Sequence, residues 1–196
     1  MEKQEITPPE VEKTKGTLTI VFGRFNPPTI GHEKLLDKLE EISDNNDYLI
    51  FPSKTQDKKK NPLHPDMKIS FMKQMYPRHK EKIIDNPEIK TIFDALVKSH
   101  IDGYTNIRIL GGSDRVEEFE KITKKYNGKL YDFKKIEVIS AGNRCPDSEG
   151  LEGVSASNQR QFVLDNDYTN FIKGIPEKMD KKVVRELFDT LRGEMK

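Results

Sequence analysis

The fold turns on one stretch, Leu18-Thr19-Ile20-Val21-Phe22-Gly23-Arg24-Phe25-Asn26-Pro27-Pro28-Thr29-Ile30-Gly31-His32. Its first five residues are mostly apolar and β-branched or aromatic, and Gly23 stops them, which predicts a buried strand. From Gly31 to Asp44, Leu35, Leu36, Leu39 and Ile42 recur at helical spacing between charges, which predicts an amphipathic helix. The chain therefore passes from strand to helix through a loop bearing Gly23, Pro27 and Pro28.

Outward from this stretch the alternation continues. Tyr48-Leu49-Ile50-Phe51 predicts a second strand, ended by Pro52. The polar, lysine-rich run from Ser53 to Pro65 is a loop of about a dozen residues, a length typical of functional loops. Asp66 to Tyr76 predicts a helix opened by Pro65, with Ile69, Met72 and Met75 on one face. Thr91 to His100 is a further helix, and Ile107-Arg108-Ile109-Leu110 a third strand closed by Gly111-Gly112. Arg115 to Tyr126 (helix), Lys135 to Ser140 (strand), Ser157 to Asp165 (helix) and Lys178 to Arg192 (helix) complete the series. This order implies an α/β three-layer sandwich, with a mostly parallel sheet between helices and a C-terminal helix. In such sheets ligands bind beyond the carboxyl ends of the strands. The loops to watch are 23–31, 52–65, 111–115 and 141–157.

Composition narrows the function. The chain has 196 residues, with 34 Lys and Arg against 33 Asp and Glu, for a formal charge of +1. A nucleic-acid glove usually carries a basic excess, so none is expected here. No apolar run reaches the ~18 residues of a membrane span. Residues 1–16 are polar, lack the apolar core of a secretory signal and read as a flexible lead-in. The single cysteine, Cys145, forbids an internal disulfide, so a reducing, cytoplasmic setting is expected.

The first loop carries the chemistry. Gly23 permits a sharp turn, and the two prolines stiffen the rest of the loop. Gly31 at the helix start lets an anion approach the backbone N–H groups, where the helix dipole favours it. Thr29 and His32, three residues apart, can address one phosphoryl group. The run Gly23-x-Phe25-x-Pro27-x-Thr29-x-Gly31-His32 resembles the signature of the nucleotidylyltransferase superfamily, which opens after the first strand of a Rossmann-like sheet. The likeness extends over about residues 17–175, leaving 176–196 as a helix packed on or beside that domain, and runs toward cytidylyltransferase-like proteins of tailed phages.

Three later segments agree with it. Val154-Ser155-Ala156-Ser157-Asn158-Gln159-Arg160 is similar to the family's late motif, with Ala156 where a further hydroxyl is usual. Ser155 and Ser157 read as N-cap residues, and the exposed N–H groups with Arg160 would make a triphosphate cradle. Gly111-Gly112-Ser113-Asp114 resembles a Gly-x-Asp segment that helps hold nucleotide or acceptor, and Asn61-Pro62-Leu63 resembles the acceptor-side loop of pyridine-mononucleotide adenylyltransferases. Those relatives carry an Arg on the next helix, whereas Lys68 is the nearest basic residue here.

The resemblance implies that an acceptor phosphate oxygen attacks the α-phosphorus of ATP, or alternatively CTP, and that pyrophosphate leaves. His32, Thr29 and Arg160 would be the catalytic group. Gly23, Arg24, Phe25, Asn26, Gly31, Gly111, Asp114, Ser155 and Ser157 would contact the nucleotide. One of Lys54, Lys58, Lys59 or Lys60 would meet the phosphates, and Arg144 could reach the nucleotide. Mg²⁺ would come bound to phosphates and water, with no dedicated protein metal site. The partners expected are thus a nucleoside triphosphate and a small phosphorylated acceptor, with neither nucleic acid nor membrane. The alternative is a nucleotide-binding scaffold of the same fold. A tRNA-linked activity is disfavoured by chain length and charge. His64, His79 and His100 read as solvent-facing or capping, Asp114 equally as a helix cap, and Cys145 as an incidental thiol. The ligand-facing loops collect Arg24, the lysines, Arg115, Arg144 and Arg160, so a neutral chain can have a positive mouth.

Overall fold

The computed structural model describes residues 4–142 and 154–196. Four strands form one parallel sheet: β1 (Lys15–Gly23), β2 (Asp47–Pro52), β3 (Tyr104–Gly111) and β4 (Lys135–Ser140), in the order β2-β1-β3-β4. The helices are α1 (Ile30–Ser43), α2 (Pro65–Met75), α3 (Ile92–Ile101), α4 (Val116–Lys125), α5 (Ala156–Leu164), α6 (Tyr168–Phe171) and α7 (Lys181–Glu194). Short 3₁₀ turns at Pro77–Lys82 and Ile172–Gly174 complete the described elements.

Strand parity sends side chains to two separate cores. Val21, Ile50 and Leu110 join α1, α2, α5, α6 and α7 on one face. Leu18, Ile20, Phe51, Ile107, Ile109 and Ile136 join α3 and α4 on the other. The α/β three-layer reading holds, and the sheet is wholly parallel. The C-terminal helix α7 buries Val184, Leu187, Phe188 and Leu191 in the first core.

Local sequence explains the α1 start. Thr29 caps the helix, accepting from the His32 N–H, while the His32 ring accepts from the Thr29 N–H. Asp44 and Asn45 adopt positive φ after the helix, turning the chain into β2.

Three expectations need correction. β1 begins at Lys15, inside the expected lead-in, and the stretch before it is tied down. Lys13 Nζ donates to the Tyr104 carbonyl, and His100 Nε2 lies 2.7 Å from the Pro9 carbonyl oxygen. His100 is therefore buried, not solvent-facing. His79 is buried too, between the Tyr48 hydroxyl and the Asp37 carboxylate. Both histidines find polar partners contributed by distant segments, which their own neighbours in sequence do not reveal. His64 stays exposed at the α2 start, as expected.

The strand order reverses between β1 and β3. From β1 the chain moves to β2 on one side and then crosses to β3 on the other, opening a crevice at their carboxyl ends.

Candidate active site

A pocket of about 340 Å³ fills that crevice. Its floor is Val21, Phe22 and Gly23 at the end of β1 and Leu110 and Gly111 at the end of β3. The α1 start supplies Thr29, Gly31 and His32, and the α5 start supplies Ser155, Ala156, Ser157 and Arg160. Two helix N-termini thus border one cavity, both favourable to an anion. Among the described residues, Arg24, Lys60, Arg115 and Arg160 line it with one carboxylate, Asp114. Of the basic residues expected at this mouth, Arg24, Lys60, Arg115 and Arg160 line it, and Arg144, with Cys145, lies outside the described residues.

His32 is held in one orientation. Its Nδ1 accepts from the Thr29 N–H at 3.1 Å, and the Thr29 hydroxyl lies 3.3 Å from the same nitrogen. An accepting Nδ1 places the neutral ring's proton on Nε2, making that nitrogen the donor. The Phe25 ring packs on the imidazole with centroids 5.0 Å apart. Phe25 reaches it by folding back at φ 48° beneath Gly23, where an added Cβ would come within 3.0 Å of the ring. Thr29 is buried, and its hydroxyl serves His32 and the helix cap. Its observed contacts therefore orient the histidine, where the sequence suggested direct contact with the phosphoryl group.

Three side chains from elsewhere, together with Asn26 of the loop itself, clamp it. Asn26 exchanges two hydrogen bonds with the Leu63 backbone, fastening the first loop to the one after β2. Arg160 NH1 donates to the Asn26 carbonyl at 2.9 Å, the buried Tyr76 hydroxyl donates to the Thr29 carbonyl at 2.6 Å, and Lys68 Nζ donates to the Arg24 carbonyl at 2.8 Å. Arg160 spends one donor this way and keeps others for a ligand. Burial, and next the nearby Arg24, lower its pKa; Asp57 opposes them. An anion between the two guanidiniums would relieve that repulsion.

Of the four candidate loop lysines, only Lys60 lines the pocket; Lys54, Lys58 and Lys59 do not. Asp57 fixes the turn that presents it. Its carboxylate accepts from the Lys59 and Lys60 N–H groups and from the Asn61 side chain. The Asn61 bond first, then the Lys60 N–H, hold the Asp57 carboxyl well below its usual pKa. Asp114 lies exposed on the pocket wall, and Arg115, not Asp114, occupies the α4 cap position. Gly111 leaves room for Phe119, whose ring would sit 3.2 Å from an added Cβ. Ser155 caps α5 by accepting from the Asn158 N–H, and Ser157 follows inside the helix, so only one of the two serines is a cap.

A family profile described as Cytidylyltransferase-like matches residues 20–178, from β1 through the segment before α7. The chain belongs to the cytidylyltransferase-like family. Among individual relatives, a probable nicotinate-nucleotide adenylyltransferase of Sulfurimonas denitrificans is 24% identical over 107 residues, or 51% of this chain and 58% of that protein. The chain thus spans little more than half the length of this curated relative. A Plasmodium falciparum nicotinic acid mononucleotide adenylyltransferase, solved in complex with NaAD, superposes with a TM-score of 0.53 at 21% identity. That match covers 89% of this chain and 98% of the other, and shows the shared fold.

Family membership matches where the pocket lies, since the matched span contains every described lining residue. Sequence reading missed the clamps made by Asn26, Tyr76 and Lys68. For Lys68 a signal was present: it precedes Met72 by four positions and Met75 by seven, on the apolar stripe of α2. Among the described residues, Asp37, Glu40 and His79 come together with metal-ligand spacing. None lines the pocket, and each carboxylate has a cationic or imidazole partner, Arg78 for Glu40 and His79 for Asp37. No helix among the described residues is long and apolar enough to cross a membrane.

Proposed function

We propose that the protein is a nucleotidylyltransferase that moves AMP from ATP to a phosphorylated small molecule, releasing pyrophosphate. The observation that carries this reading is the oriented His32 at a helix start, in a crevice whose described lining includes the cations Arg24, Lys60, Arg115 and Arg160. An acceptor phosphate oxygen is already a nucleophile, so no covalent enzyme intermediate is needed. It attacks the α-phosphorus, the bond to the β-phosphate's bridging oxygen breaks, and the electron pair leaves with pyrophosphate. Catalysis then consists of positioning and charge stabilisation.

His32 Nε2–H donates to the α-phosphate as negative charge develops, and Thr29 keeps the ring in the donating tautomer. Arg160, Arg24 and the α5 start hold the β- and γ-phosphates. Lys60 approaches from the turn fixed by Asp57. Asp114 is the one carboxylate among the described lining residues, so magnesium would arrive largely coordinated by phosphate oxygens and water. Its chemistry would be to neutralise triphosphate charge.

The relatives named above are a probable nicotinate-nucleotide adenylyltransferase and a nicotinic acid mononucleotide adenylyltransferase, which supports ATP as donor and a pyridine mononucleotide as acceptor. The decisive experiment is pyrophosphate release with ATP or CTP across a panel of phosphorylated acceptors that includes nicotinic acid mononucleotide. Turnover with ATP and a pyridine mononucleotide supports the full reading; turnover with CTP alone moves it to cytidylyl transfer. Triphosphate binding without turnover on the whole panel would favour the scaffold alternative.

A further inference from the structure

Lys68 has no exposed surface, yet it is a lysine. From α2 its Nζ donates to the carbonyl of Arg24 at 2.8 Å and to that of Ser53 at 2.6 Å. These residues directly follow β1 and β2, at the roots of the two loops that bring Arg24 and Lys60 to the pocket. Its hydrogen bonds go to carbonyls and not to a carboxylate, and the charged side chain acting on it is another cation, Lys54. Burial first, then Lys54, lower its pKa to about 8. An apolar residue on the same stripe, like Met72 or Met75, would avoid the cost of burying an ammonium. The ammonium makes two hydrogen bonds to loop carbonyls that a methionine could not make.

We propose that Lys68 is a positioning residue, whose ammonium locks the loop after β1 to the loop after β2 and draws the Arg24 carbonyl oxygen toward itself and away from the anion site. A carbonyl oxygen turned toward a polyphosphate would repel it, and the two hydrogen bonds hold this one on Lys68. Asn26 and Leu63 make a second, uncharged tie between the same loops farther out. With both ties made, Arg24 and Lys60 keep a fixed separation before any ligand arrives, and less ordering is left to the binding step. The consequence for ligand affinity rests on the polyphosphate reading; the mechanical tie does not.

The test uses the full chain with Lys68→Met and Lys68→Arg. Hydrogen exchange of the unliganded protein reads the tie directly. Lys68→Met should speed exchange in 24–31 and 53–63 by about tenfold or more, leave 104–125 unchanged, and keep or raise the melting temperature. Lys68→Arg, which keeps donors, should restore slow exchange in part. ATP, titrated calorimetrically, should bind the Met variant about tenfold more weakly. Unchanged exchange in both loops overturns the proposal. So does failure of Lys68→Met to fold, because a purely positioning cation is dispensable to the core. If wild type binds no ATP, the polyphosphate reading falls, while the exchange comparison still decides the role of Lys68.

Discussion

His32 shows how a single residue acquires a role from its neighbours. Alone it is an ordinary helix-start histidine; the Thr29 N–H on Nδ1 turns it into a fixed Nε2 donor. His32→Ala should lower turnover by 10²-fold or more, within the usual range for a lost acid–base group, while ATP affinity measured calorimetrically changes little. Comparable turnover would remove His32 from the chemistry. Arg160→Ala should show the opposite balance, a raised KM for the triphosphate with a smaller change in kcat, because its guanidinium belongs to the binding wall. Thr29→Val should lose the cap, at a cost of about 1 kcal/mol in urea unfolding, and depress kcat by disturbing the ring.

At the level of elements, the sequence reads as loop at 57–61 and as cap at the α5 start, but only their geometry selects the residues that matter. Four lysines look equivalent in sequence. The backbone turn built on Asp57 brings Lys60 to the pocket and leaves Lys58 and Lys59 away from it. Asp57→Ala should therefore raise the triphosphate KM several-fold in steady-state assays with little change in melting temperature, since Asp57 itself is exposed. The Asp57 carboxyl is held below its ordinary pKa, so its contribution is complete at neutral pH and is lost only when strong acid protonates it. The histidines illustrate the reverse limit: His79 and His100 lie buried because Tyr48, Asp37 and Pro9 reach them from far away in the chain.

For the whole molecule, two cores hold one sheet, and α7 belongs to the first of them. Leu187→Ala should cost about 2–5 kcal/mol in chemical denaturation, as a fully buried leucine does. A loss below ~1 kcal/mol would mean that α7 is only loosely attached. Lys68 sets a global pH response. Its folded pKa of about 8 lies below the 10.5 of the free side chain. Between those values the unfolded chain binds more protons than the folded one, so this group makes stability rise with pH through that window. Lys54, the other cation acting on it, pushes in the same direction. Denaturant midpoints of wild type should therefore gain on those of Lys68→Met from pH 8 to 10; parallel curves would contradict this.

The sequence by itself determined the strands, the main helices, their parallel arrangement and the loop that carries His32. Apolar periodicity, glycine and proline punctuation and a contiguous ten-residue motif are local signals, and local signals survive in a one-dimensional string. Only the tertiary structure decided which loop lysine meets the pocket, that the Thr29 hydroxyl serves His32, that Asn26 ties its loop to Leu63, and that Tyr76, Lys68 and Arg160 brace that loop from other parts of the chain. Those facts depend on where the carboxyl ends of β1 and β3 part and on which backbone carbonyls that crossing leaves to be satisfied.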